Sequence, residues 1–195
     1  METIDDEMNS YMDNFRIEDL ECMVGDTFKY TYGTTPFSTF EKIVREIKRP
    51  KRFIVLGSSI GSQCFYWNRL FPDIPTIGYE IHDLRYDFSV YLGEKYNLKN
   101  IELYNESFLD ADIQDGDLIW ENNLCLDIDI CDTFNLMALK NEDIGIVSYT
   151  NILRKCDLNG DLVIMNKMSQ LKILSRKVLK LPTSWTNDQS FYIYE

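Results

Sequence analysis

The chain has 195 residues, of which 45% are hydrophobic and 13% aromatic, and its formal net charge is −12. That length and apolar content suit one domain with a buried core. So acidic a chain is not built to grip nucleic acid over a broad face, and no apolar run reaches the roughly 18 residues of a membrane span.

The acidic, polar start METIDDEMNSYMD argues against a secretory signal. Five cysteines (Cys22, Cys64, Cys125, Cys131 and Cys156) form no CxxC pair and read as reduced thiols of an intracellular protein. With His82 as the one histidine, no metal site is expected. The charge is uneven: residues 1–26 hold nine acids against one base, whereas 48–52 reads KRPKR and 167–180 carries five bases with no acid.

IEDLECMVG, residues 17–25, reads as a short helix. The stretch from Tyr32 continues as YGTTPFSTFEKIVREIKR, where Phe40, Ile43, Val44 and Ile47 recur at helical spacing, with Ser38 or Thr35 as cap and Pro50 as terminator. RFIVLG then reads as a buried strand and CFYWNRLFP as a helix packed on it. TIGYEI is a second strand, LRYDFSVYLGEKYN a helix, NIELYNES a third strand and DLIWENNL a fourth. Helices are expected over ICDTFNLMALKN and IVSYTNILRKC. A turn at Asn159-Gly160 leads to a fifth strand, Leu162 to Met165, and KVLKLPTSW with QSFYIYE closes the chain as an antiparallel pair.

This alternation predicts an α/β fold with a seven-stranded, mostly parallel twisted sheet, helices on both faces and an antiparallel C-terminal hairpin. A helical segment and covering loop over 1–47 would precede the α/β domain of 48–195. In such sheets ligands bind beyond the carboxyl ends of the strands, where strand order reverses.

FIVLGSSIGSQ places Gly57, Ser58, Ser59 and Gly61 at that point. Glycine there permits positive φ and close approach to a ligand, and the following helix points free N–H groups into the same crevice. Glu80 follows about twenty residues later at the tip of the second strand, where a carboxylate can accept from ribose hydroxyls. A plain strand-to-helix turn remains the alternative. Neither GxGxxG nor GxxxxGK[ST] is present.

Taken in order, YGTTPFSTFEKIVREI, VLGSSIGSQ, GYEI, ESFL with IWENNL, and SWTNDQSFYIY resemble the Dot1 family of histone lysine methyltransferases, class I enzymes that lack the SET fold. The resemblance spans about residues 30–194. It implies S-adenosylmethionine as cofactor, held by Thr34 and Thr35 at its carboxylate and by Gly57, Ser58, Ser59 and Gly61 along the turn. Glu80 would take the ribose, and Ser107 and Phe108 the adenine. Asn122 and Asn123 would anchor the amino-acid end or steer the incoming amine, and Tyr30, Tyr32, Phe191 and Tyr192 would wall a channel for a lysine stem. The implied partner is histone H3 in the nucleosome, with local DNA contact through 48–52 and 167–180 and a nuclear location. The sequence departs from the family at Val55 and Ser107, each an aspartate there, at Ser59, a glycine, at Ser62, a glutamine, and at Thr34, a glutamate. Those departures keep two further readings open: a non-catalytic relative serving as a binding module, and a methyltransferase for another protein or a small molecule.

Overall fold

The computed structural model describes residues 3–11, 34–123, 128–138, 140–141, 143–150 and 176–195. Chain order runs α1 (4–11), α2 (Phe37–Val44), β1 (Arg52–Leu56), α3 (Ser62–Leu70), β2 (Thr76–Tyr79), α4 (Asp83–Lys95) and β3 (Ile101–Tyr104). A 3-10 turn (Phe108–Asp110) follows, then β4 (Asp117–Glu121), α5 (Ile128–Ala138), β5 (Gly145–Ser148), β6 (Arg176–Leu181) and β7 (Gln189–Tyr194). The strands form one sheet in the order β3-β2-β1-β4-β5-β7-β6. The first five are parallel, and β7 runs antiparallel to both β5 and β6. The order reverses between β1 and β4, whose facing residues run from Arg52↔Asp117 to Leu56↔Glu121.

The central strands are apolar because both of their faces are covered. On one face Phe53, Val55, Leu118, Trp120, Val147, Phe191 and Ile193 pack against α2 and α3 through Phe40, Ile43, Cys64 and Trp67. On the other, Ile54, Leu56, Ile119, Ile146 and Tyr194 pack with Phe134 and Ala138 of α5. Phe53 stacks on Trp67 at 4.3 Å between ring centroids and meets Phe40 edge-on at 6.1 Å. Met8 of α1 and Phe40, Ile43 and Val44 of α2 are buried in the same cluster as Phe53, so packing is continuous across position 47. α1 is also tied to α4: Lys95 Nζ donates to Glu7 at 2.7 Å, Tyr96 Oη donates to the same carboxylate, and Tyr11 stacks on Phe88.

Three local expectations change. The fifth strand is 145–148, inside a stretch read as the start of a helix; the expected strand 162–165 and the helix over 17–25 lie outside the described residues. Ile146 and Val147 sit between β4 and β7, and pairing on both edges with burial on both faces overrides a helical pattern. Neither Ser38 nor Thr35 caps α2: its N-cap is Pro36, without a side-chain cap hydrogen bond. α2 also ends at Val44, with Arg45 as C-cap, well before Pro50.

Candidate functional site

The reversal of strand order opens the sheet edge just past Leu56, where the chain turns through Gly57 (φ +66°), Ser59 (φ +51°) and Gly61 (φ +86°) into α3. Asn122 braces this turn from β4. Its backbone N–H donates to Leu56 O (3.2 Å), its Nδ2 donates to Gly57 O (2.8 Å), and its Oδ1 accepts from Trp120 Nε1 (3.1 Å). From β2, Tyr79 O accepts from Ser58 N at 2.8 Å. Gly78 is required beneath the turn, since a Cβ there would lie 3.0 Å or less from Leu103, Cys64 and Ser58. Sequence reading passed over Gly78, although it stands two residues before Glu80 and therefore on the same face of β2.

Glu80 is 6% exposed, so it is not a solvated strand end. Its Oε2 accepts from Ser59 N at 2.7 Å and its Oε1 from His82 N at 2.8 Å. A carboxylate has about four lone-pair sites, so two backbone donors leave each oxygen able to accept one more bond, as two ribose hydroxyls would require. Two further observations fit a nucleoside ligand here. A Cβ on Gly57 would meet only Asn122 Cβ, at 3.9 Å, so the turn is open on its outer side. Ser59 Oγ is buried without a hydrogen-bond partner, and the α3 N-terminus carries no side-chain cap. That end of α3 offers backbone donors to a polar or anionic group.

At the end of β3, Asn105 Nδ2 donates to Glu80 O (3.0 Å), which ties this strand to the same edge. Ser107 is the N-cap of the 3-10 turn, its Oγ accepting from Leu109 N (3.2 Å), and Phe108 stands edge-on to Phe134 at 5.8 Å. Thr34 and Thr35 are held by the C-terminal hairpin. Thr34 N donates to Ser184 Oγ (2.8 Å), Ser184 N donates to Thr34 O (3.0 Å), and the Thr35 and Tyr149 hydroxyls are 2.6 Å apart.

The structure thus gathers Gly57, Ser58, Ser59, Gly61, Glu80 and Asn122 at one edge, with Ser107 and Phe108 beside them. Asn123 turns away into the β4–β5 seam, where its Nδ2 donates to Glu121, Ser148 and Thr150. Phe191 and Tyr192 cannot jointly wall a channel. Neighbours on a strand point to opposite faces; Phe191 is fully buried against Trp120 and Tyr149, while Tyr192 packs with the α5-side cluster. Tyr30 and Tyr32 lie outside the described residues.

The basic run 48–52 sits at the opposite end of the sheet, and three of its four bases pair with acids. Arg52 holds the buried Asp117 through Nε (2.8 Å) and Nη2 (2.7 Å), Arg49 pairs with Asp73, and Lys48 reaches Asp143 at 3.5 Å. Lys177 and Lys180 in the second basic stretch pair with Glu46 and Asp188. The Cys64 thiol is pushed far above its ordinary range by burial, which removes it as a nucleophile. No group of three or more metal-ligating side chains occurs among the described residues, and none of their helices is long and apolar enough to cross a membrane.

No protein-family model matches the chain, and no curated protein matches it in sequence. Solved structures match in fold. One is a protein of Listeria monocytogenes assigned to the class I S-adenosylmethionine-dependent methyltransferases, with TM-score 0.57 and 12% identity over 83% of this chain and 60% of that one. Another is TrmK of M. capricolum bound to S-adenosylhomocysteine, with TM-score 0.54 and 13% identity over 83% of this chain and 67% of that one. A third is precorrin-6y C5,15-methyltransferase from Geobacter metallireducens, with TM-score 0.53 and 13% identity over 81% of this chain and 87% of that one. The chain has the class I methyltransferase fold, and these neighbours do not single out the Dot1 family.

Proposed function

We propose that the chain is an S-adenosylmethionine-dependent methyltransferase whose acceptor is a protein lysine amine, of the Dot1 type on histone H3. The observation that carries the cofactor half is the buried Glu80 carboxylate, locked to the glycine turn by Ser59 N and to the start of α4 by His82 N, with acceptor capacity to spare. The lysine half rests on the sequence resemblance. It is supported by the hydrogen bonds between Thr34 and Ser184, which join the described end of the first matching segment to the SWTN segment.

When bound, the cofactor supplies a methyl carbon already made electrophilic by its sulfonium. The chain has to place the acceptor and exclude water. Glu80 fixes the ribose, the uncapped α3 N-terminus and Ser59 Oγ face the polar part of the ligand, and Asn122 keeps Gly57 O from drifting. Tyr149 and Trp185, with ring centroids 5.9 Å apart, form an aromatic flank on the hairpin side. Aromatic walls desolvate an ammonium and lower its pKa, so a lysine entering along them loses its proton more readily.

The test combines calorimetry with S-adenosylhomocysteine and transfer of labelled methyl from S-adenosylmethionine to nucleosomes and to free H3. Binding heat together with label on H3 is the expected result. Binding without label on either substrate overturns the lysine acceptor and leaves a methyltransferase for another molecule; no binding overturns the cofactor. A second reading, a binding module that keeps the fold without turnover, is favoured by Ser107. Its hydroxyl caps its own turn where the family offers a carboxylate.

A further inference from the structure

The two segments that hold the proposed ligand each run straight into a helix. The glycine turn ends at Gly61 and continues as Ser62, the first residue of α3, and Glu80 is fixed by the N–H of His82, the N-cap of α4. α1 lies across both helices and grips each of them at both ends. On α3, Ser62 Oγ donates to Met8 Sδ at 3.5 Å in the first turn, and Arg69 Nη1 reaches Asp5 at 3.4 Å in the last. On α4, Tyr11 Oη donates to Leu84 O at 3.2 Å and its ring stacks on Phe88 at 3.8 Å, while Lys95 and Tyr96 hold Glu7 at the far end. Met8 is 3% exposed and belongs to the core cluster that includes Ile60 of the turn, Cys64 of α3 and Leu92 of α4.

A helix as short as α1 is marginal by itself in water, so α1 is helical because it is docked. Met8 is its one buried apolar side chain, and the ion pairs and hydrogen bonds around it contribute little each where they are exposed. α1 therefore undocks at a far smaller free-energy cost than global unfolding. We infer that α1 is a clamp on the cofactor site. Its docking fixes the spacing of α3 and α4, and so sets the Ser59 and His82 N–H groups about Glu80 in the geometry that binds S-adenosylmethionine. This is a regulation of the proposed site and rests on the cofactor half of that reading. Met8, Tyr11 and Glu7 are positioning residues that act through Ser62, Leu84 and Lys95. Docking of α1 tightens the cofactor, and by linkage the cofactor stabilises docked α1 by the same factor.

Amide exchange and calorimetry on the full chain at neutral pH test this. Saturating the wild-type protein with S-adenosylhomocysteine is expected to raise the protection of amides 4–11 about fivefold or more, the lower end of ordinary couplings between sites. Tyr11→Ala and Glu7→Gln should weaken S-adenosylhomocysteine several-fold, and by no more than that same factor. Glu7→Gln is the sharper variant, because its partner Lys95 ends α4, about 18 Å along the helix from Asp83 and the ligand edge. Tyr11→Phe, which keeps the stack on Phe88, should retain most of the affinity. Arg52→Met is the control: it loosens the opposite end of the sheet and should leave the affinity unchanged. Thermal melts establish that each variant is folded. Wild-type affinity in folded Tyr11→Ala and Glu7→Gln chains overturns the inference. So does protection of amides 4–11 that ignores the ligand, or an equal loss of affinity in Arg52→Met, which would mean general loosening. A wild-type chain that gives no binding heat sinks the cofactor reading, and this inference with it.

Discussion

Ser59→Gly should make the unliganded protein more stable while weakening its hold on the cofactor. Ser59 sits at φ +51°, in the left-handed region, where a side chain costs roughly 1–2 kcal/mol. Its Oγ is buried without a partner, and leaving such a group unsatisfied costs about 1–3 kcal/mol. Glycine removes both penalties and keeps the Ser59 N bond to Glu80, but its freer unfolded chain returns about 0.5–1 kcal/mol. The balance is a gain of about 1–4.5 kcal/mol, or a Tm higher by roughly 2–18 °C for a chain of this size. Calorimetric melting of the apo protein measures the first half. Titration with S-adenosylhomocysteine measures the second, where loss of a hydroxyl that bonds the ligand should cost about 1 kcal/mol of affinity. A Tm that stays the same or falls would refute the reasoning, because strain and an orphan hydroxyl would then not be what Ser59 brings to the turn.

Glu80→Ala strips the acceptor from Ser59 N and His82 N, so it should lower stability by about 2–4 kcal/mol as well as cofactor affinity by about 1–3 kcal/mol, read from urea melts and calorimetry. Arg52→Met leaves Asp117, 2% exposed, without its bidentate partner; a loss of about 3 kcal/mol is expected, as a lower urea midpoint at unchanged slope. The Lys95 and Tyr96 side chains hold the Glu7 carboxyl below its ordinary pKa of 4.5. A depressed carboxylate stabilises the fold above the ordinary value, and that contribution is lost as pH falls through the lower, folded one. The protection of amides 4–11, relative to their intrinsic exchange rates, should therefore fall below about pH 4, and Glu7→Gln should abolish the acid-dependent step.

The sequence alone determined the architecture and the glycine turn, because both depend on local chemistry. Strands β1, β2 and β4 are apolar runs bounded by turn residues, α2 repeats its apolar positions at helical spacing, and Gly57 and Gly61 mark where the backbone takes positive φ. Glu80 was legible by its distance from that turn. Tertiary structure decided the rest, because it turns on pairings between distant segments. The four residues of β5 became a strand only by lying between β4 and β7. The period of two on β7 sent Phe191 and Tyr192 to opposite faces. Acids up to 131 positions away in sequence pair with Lys48, Arg49 and Lys177.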